Sequence, residues 1–292
     1  MPPETSGPSG LKQDLMQKFT LELLFQIIGI GSASGLFYKD NSVSVIGDNS
    51  GFLYDYEIET KDLRSYSLIP NAAANIPKKQ KPDFEAMASD DDNFYIFGSG
   101  STENRNTMVQ FDKASKTAVK TTDVTDLYLS MQSFGNIKPE DFNIEGAALS
   151  GETWYFLQRG NGSKGKNILF TVEGKTLENG FRILSNDFKL PKIKGVRTSF
   201  TDALLIDNHL YFLAAAEDSK STYEDGEVLG SLIGSINIEN MKIEFTQQIS
   251  DKHKFEGLSL YSKTDTEITF LLCEDNDTDV QQSDFYKLTL KK

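Results

Sequence analysis

Phe255-Glu256-Gly257-Leu258, followed by the apolar run Ile268–Cys273 and the polar tail Glu274-Asp275-Asn276-Asp277, is the stretch from which this fold can be read. The pattern occurs four more times. Ser34-Gly35-Leu36, Glu85-Ala86-Met87, Glu145-Gly146-Ala147 and Thr201-Asp202-Ala203 each lead, through a polar turn, into an apolar strand. Those strands are Val43–Ile46, Phe94–Phe97, Trp154–Leu157 and Leu210–Leu213. They end in Gly47-Asp48-Asn49, Gly98-Ser99-Gly100, Gln158-Arg159-Gly160-Asn161 and Glu217-Asp218-Ser219. A unit repeated at a near-constant interval points to a propeller or solenoid, because each copy must bury its faces against its neighbours.

Working outward, each unit holds four short strands. In the first they are Ala33–Tyr38, Ser42–Ile46, Phe52–Ile58 and Leu63–Ile69, with Phe52, Tyr54, Tyr56 and Ile58 sharing one face. Four antiparallel strands per unit, separated by Gly and Asn/Asp turns, describe a propeller blade. The anchors recur at spacings of 51, 60, 56 and 55 residues, which leaves no room for a sixth blade. After Glu256 only 36 residues remain, enough for three strands. The fourth is expected from the other end of the chain, where Phe19, Leu21, Leu23, Phe25 and Ile27 alternate with polar Thr20, Glu22 and Gln26. The expectation is therefore an all-β, five-bladed β-propeller over residues 19–292, closed by Phe19–Ile28 as the outer strand of the last blade. Closure removes exposed sheet edges. A helix over Leu11–Phe25 competes, since Leu15, Phe19 and Leu23 share a helical face. Residues 1–18 read as a disordered segment, and Asp126–Phe134 as a short inserted helix.

Composition agrees with a strand-rich core and narrows the partners. The chain has 20 Phe and 11 Tyr in 292 residues, and flat rings pack well on pleated faces. Net charge is −13, so phosphate backbones and anionic lipid are repelled; neither nucleic acid nor a membrane is expected as a partner. Cys273 is the only cysteine and lies in an apolar run, which reads as a buried, inert thiol. With no signal-peptide pattern, a cytoplasmic monomer is the default expectation.

Residues at one position of every inner strand form a ring around the axis. Here they are Ser34, Glu85, Glu145, Thr201 and Glu256, three carboxylates and two hydroxyls, with no Lys or Arg at an equivalent position. Three crowded carboxylates cannot all ionise without a cation. Hard oxygen donors suit Ca2+, with Mg2+ the alternative. The competing reading has these side chains facing a wet channel or bonding the next blade's backbone.

The order Ser, Glu, Glu, Thr, Glu around five blades resembles the calcium-activated nucleotidases, apyrases whose five-bladed propeller holds Ca2+ on its axis. Phe200-Thr201-Asp202, Lys254-Phe255-Glu256-Gly257, Asp48-Asn49-Ser50-Gly51 and Trp154–Arg159 are in that family's style. The resemblance implies that the five anchors ligate calcium and that Asp48 and Arg159 serve catalysis at the substrate end of the channel. Two positions depart from it: Asn49 stands where the family has arginine, and Ala86 where it has tryptophan. The chain is also similar to uncharacterised bacterial propellers with Glu-Gly-Leu or Glu-Gly-Ala anchors.

Other motifs carry less. His209 and His253 lie in polar turns, and Gly29–Gly35 lacks the helix that a dinucleotide loop needs. Asp275–Asp279 is half an EF-hand loop without its Gly and Glu, Asp90–Asp92 is a turn, and Ser219–Gly226 is a polar loop of the fourth blade. Arg159-Gly160-Asn161-Gly162 emerges at a channel mouth, where it reads either as an anion-binding turn or as a solvated one. Two functions follow. In the first, the metal is mainly structural and the channel mouth binds a small-molecule or protein ligand. In the second, the chain is a Ca2+-dependent hydrolase of nucleotides or other phosphate esters.

Overall fold

A computed structural model describes residues 18–160, 165–218, 226–275 and 281–291 of the chain. Its first strand, β1 (Phe19–Ile28), precedes a first blade of β2 (Ala33–Lys39), β3 (Ser42–Gly47), β4 (Phe52–Glu57) and β5 (Asp62–Ser67). Blade two is β6 (Phe84–Ser89), β7 (Asn93–Gly98), β8 (Thr107–Asp112) and β9 (Thr117–Asp123), followed by the helix α1 (Thr125–Gly135). Blade three is β10 (Ile144–Ser150), β11 (Thr153–Gln158), β12 (Asn167–Glu173) and β13 (Arg182–Phe188). A two-residue strand β14 (Lys192–Ile193) then leads blade four: β15 (Val196–Ile206), β16 (His209–Asp218), β17 (Glu227–Asn237) and β18 (Lys242–Ser250). Blade five has β19 (Phe255–Lys263), β20 (Glu267–Glu274) and β21 (Gln282–Lys291) from the end of the chain.

The fold is a five-bladed β-propeller of antiparallel sheets. Its last blade is completed by β1, which pairs antiparallel with β21 from Phe19 opposite Leu290 to Ile28 opposite Gln282. The strand reading of the N-terminal segment therefore wins over the helical one from Phe19 onward. Residues 1–17 lie outside the described residues, as do Asn161–Gly162, Ser219–Asp225 and Asn276–Asp279 of the motifs above.

Period-two alternation explains how the blades meet. In β7, Phe94 and Ile96 pack toward blade one, while Phe97 joins the cluster shared with blade three. In β11, Trp154 and Phe156 face blade two, and Tyr155 and Leu157 face blade four. In β20, Ile268, Phe270 and Leu272 face blade four, and Leu271 and Cys273 face blade one. A strand buried on both faces must be apolar throughout, which is why these second strands read as continuous hydrophobic runs. The core is thus five inter-blade layers, each filled from two neighbouring blades. The helix α1 adds Leu127, Tyr128 and Met131 to the layer between blades two and three. Cys273 is buried and unpaired, with its thiol pushed well up by burial. No helix among the described residues is long and apolar enough to cross a membrane.

Candidate functional site

Each inner strand carries an irregularity at the same place in its pairing to the second strand, and that of blade five has another between Leu260 and Ser262. The register slips between Ala33 and Gly35, Phe84 and Ala86, Ile144 and Gly146, Phe200 and Asp202, and Phe255 and Gly257. The residue passed over is in every case the anchor: Ser34, Glu85, Glu145, Thr201 or Glu256. A bulge leaves its extra residue unpaired and re-aims its side chain. Glycine follows the anchor in three blades, at Gly35, Gly146 and Gly257, for a cause of its own. A Cβ at Gly146 would lie 2.8 Å from the Ala203 backbone nitrogen, because neighbouring inner strands nearly touch.

The two hydroxyl anchors tie blades together. Ser34 Oγ donates to the Phe84 carbonyl at 2.5 Å, and Thr201 Oγ1 donates to the Phe255 carbonyl at 2.7 Å. Both acceptors immediately precede a glutamate anchor of the next blade. The backbone-bonding alternative thus describes these two residues, since a hydroxyl has a proton to give and a carboxylate does not.

Countercharge comes from positions that the repeat comparison overlooked. Glu145 accepts from Asn143 Nδ2 at 2.6 Å and from Arg159 Nη1 at 3.0 Å, and the same guanidinium pairs with Glu217. Lys254 Nζ lies 2.9 Å from Glu256, 3.2 Å from Glu217 and 3.4 Å from Asp275. A continuous chain of alternating charge therefore crosses blades three, four and five. On the other side, Lys81 pairs with Asp48 and, at 2.7 Å, with Asp83, which also holds Arg105 at 2.7 Å. No basic residue stands at an anchor, but several stand beside one. A signal for this existed in the strand register. The residue two before an anchor faces the end of the second strand, as in the bonds from Arg159 N to Asn143 O at 2.8 Å and from Asp275 N to Lys254 O at 3.1 Å.

Glu85 is different: its carboxylate makes no hydrogen bond or ion pair with any described residue. One oxygen of each of Asp48, Asp83 and Glu85 lies within 4.8 Å of the others. Burial drives Glu85 well above the usual carboxylate range, and Glu145, Asp83, Asp48 and Glu256 push it further. Burial also raises Glu145 and Glu256, against the pull of Arg159 and Lys254. Burial opposes the ionisation of Glu217 too, but there Arg159 and Lys254 outweigh it and the carboxyl is lowered. Asp48 Oδ1 and Asn143 Oδ1 are buried acceptors with no donor among the described residues. Among the described residues, seven carboxyl groups (Asp48, Asp83, Glu85, Glu145, Glu217, Glu256 and Asp275) thus meet four basic side chains (Lys81, Arg105, Arg159 and Lys254).

A second layer of residues follows the polar one along the inner strands. Two residues beyond each anchor stand Leu36, Met87, Ala147, Ala203 and Leu258, which help to line a cavity of about 90 Å³. Asp48, Arg159 and Asp275, just past the ends of their second strands, stand on the other side of the ring from it. His253, beside this ring, has its Nδ1 2.6 Å from Glu274, whose other oxygen accepts from Tyr286 at 3.0 Å. His209 similarly faces Glu244 at 2.7 Å on the surface.

A family model described as "Family of unknown function (DUF6929)" matches residues 29–290. No curated protein matches the chain in sequence. Among solved structures, the major Malassezia sympodialis allergen Mala s 1 is similar at a TM-score of 0.53 with 10% identity, covering 90% of this chain and 95% of that one. Bacteroides ovatus xyloglucan PUL GH43B is similar at 0.54 with 11% identity, covering 91% of this chain and 54% of that one. Identities this low speak for the fold alone. Nothing among these similarities is specific to the apyrases.

Proposed function

Because the chain belongs to the DUF6929 family, which assigns it no chemistry, we propose a function from the geometry: the axial mouth is a divalent-cation site that supports ligand binding. The observation that carries this reading is Glu85, a half-buried carboxylate without a hydrogen-bond or ion-pair partner among the described residues, facing Asp48 and Asp83 within 4.8 Å. Glu145 and Glu256 add negative charge from across the axis. The donor set is all oxygen, which fits Ca2+ first and Mg2+ second. Asp83 and Glu85 would hold the ion, with Asp48 joining as Lys81 swings away; Lys81 now stands between the two aspartates. The hydroxyls of Ser34 and Thr201 hold the ring that positions these carboxylates. In this reading the metal offsets repulsion and presents an open coordination position at the mouth to a small-molecule or protein ligand.

Hydrolysis of nucleotides or other phosphate esters is the second reading. It needs an arginine free to grip phosphate, and both terminal nitrogens of Arg159 are committed to Glu145 and Glu217. Asp48 is likewise held by Lys81. Binding without turnover is therefore preferred. Titration calorimetry with CaCl2 on EDTA-treated protein tests it: one-site binding is expected, weakened at least tenfold in Glu85→Gln. Absence of binding in the wild type, or equal binding in the variant, would overturn the assignment.

A further inference from the structure

The segment leading into β19 carries a histidine whose two ring nitrogens differ. His253 Nδ1 lies 2.6 Å from Glu274, and the other oxygen of that carboxylate accepts from the Tyr286 hydroxyl at 3.0 Å. Burial and the neighbouring Glu274 both push the Tyr286 phenol well up, so it keeps its proton and donates. A carboxylate has no proton to give, so Nδ1 carries the hydrogen and the lone pair is left at Nε2. Nε2 makes no hydrogen bond with a described residue and is not sealed from solvent, since the side chain keeps 20% exposure.

Bonds and packing fix the ring in place. The His253 backbone N–H donates to Ser250 Oγ at 2.9 Å, and its carbonyl accepts from Ser231 Oγ at 2.8 Å. The imidazole packs against Phe255 and Tyr286, with ring centroids 5.6 and 5.0 Å away. Imidazole forms covalent intermediates where a neighbouring group orients it and supports the charge that it acquires. His209 provides a comparison within the same chain. It too meets a glutamate, Glu244, at 2.7 Å, but that pair is 40% and 37% exposed, against 20% and 10% for His253 and Glu274. The same Glu244 oxygen also accepts from Ser235 Oγ at 3.0 Å. A carboxylate supports developing imidazolium charge more strongly where water screens it less.

From the bonds linking Tyr286, Glu274 and His253, and from the open Nε2 at their end, we infer that His253 is a nucleophile for acyl transfer, with an activated ester as its substrate class. Nε2 attacks the ester carbonyl carbon. A C–N bond forms, the C–O bond to the leaving group breaks, and that group departs as an alkoxide or phenolate. The acyl-imidazolium left behind has its Nδ1 hydrogen on Glu274. Water then adds to the acyl carbon, the C–N bond breaks and the imidazole is restored, so ester and water give carboxylic acid and alcohol. The inference is independent of the axial cation, and its test uses the full chain in EDTA. Only two histidines are present, so each can be followed separately. The first measurement uses limiting diethyl pyrocarbonate at mildly alkaline pH, above the ordinary imidazole value of about 6.5, with ethoxycarbonylation of each histidine read by peptide mass spectrometry. His253 should react at least tenfold faster than His209, although exposure alone predicts the reverse order. Glu274→Gln, whose amide can donate to Nδ1 and release the other tautomer, should remove that preference. The His209 rate, which unfolding would change, should stay as it was. Hydrolysis of 4-nitrophenyl acetate should fall at least tenfold in His253→Gln and be unchanged in His209→Gln and Glu85→Gln. Reaction at His209 as fast as at His253, a preference that survives Glu274→Gln, or ester hydrolysis that is unaffected by His253→Gln or lost in Glu85→Gln would overturn the inference.

Discussion

The acidic ring has two sectors that solve the same electrostatic problem differently. Across blades three to five, each carboxylate has a cation within reach, because Arg159 bridges Glu145 and Glu217 and Lys254 reaches Glu217, Glu256 and Asp275. Across blades one and two, Lys81 and Arg105 serve Asp48 and Asp83, and Glu85 is left over. The first sector is closed by shared cations that are themselves buried. The second leaves one carboxyl without a partner among the described residues. Removal of a partner should therefore damage the first sector, whereas in the second it should open a site.

The largest expected effect is in the paired sector. Lys254→Met takes the shared ammonium away from Glu217, Glu256 and Asp275, and breaking a buried ion pair from one side costs about 3–5 kcal/mol. Urea unfolding of the variant at neutral pH should show a loss of that size, and a loss under about 1 kcal/mol would mean that the network is solvated and the sector contrast is false.

The unpaired sector should respond in the opposite sense. Lys81→Met removes the tethered ammonium that a divalent ion must displace from between Asp48 and Asp83. Calcium affinity by calorimetry is expected to rise about tenfold, equivalent to about 1.4 kcal/mol. Weaker calcium binding in this variant would show that Lys81 assists the site instead of competing for it.

The smallest effect is on pH dependence, and its sign tells whether burial and repulsion or ion pairing dominates the ring. Burial, with repulsion from neighbouring carboxylates, holds Glu85 well above its ordinary value; burial likewise raises Glu145, Glu256 and Asp202. A carboxyl with a raised folded-state pKa holds a proton that the unfolded chain has released. Its stabilisation is full below the unfolded value, about 4, and is lost as pH rises through the folded value. Glu217, lowered by Arg159 and Lys254 against the effect of burial, contributes in the opposite direction and loses its share as pH falls. Metal-free protein should therefore melt at progressively lower temperature as pH rises from the ordinary carboxylate range, and saturating calcium should flatten that decline. A metal-free melting temperature that climbs with pH throughout would show that the pairs dominate both sectors.

Two kinds of information were separable in this molecule. The sequence by itself determined the blade count, the closing strand and the ring of anchors, because these rest on local regularities. Alternation in Phe19–Ile28 and the recurrence of Glu-Gly before apolar runs can be read without knowing what is near what. The helix after blade two was legible for the same reason. Tertiary structure alone decided which carboxylates are answered and by whom. Lys81, Arg105 and Glu217 have no repeat counterpart that marks them, and Lys254 stands two residues from its glutamate in the very motif that revealed the fold. It decided as well that Ser34 and Thr201 bond the next blade, and that Glu274 meets His253. Period and spacing are properties of one strand, set by backbone geometry. Charge compensation acts through space over a few ångströms between residues as far apart as Glu145 and Glu217, and only a closed ring brings those together.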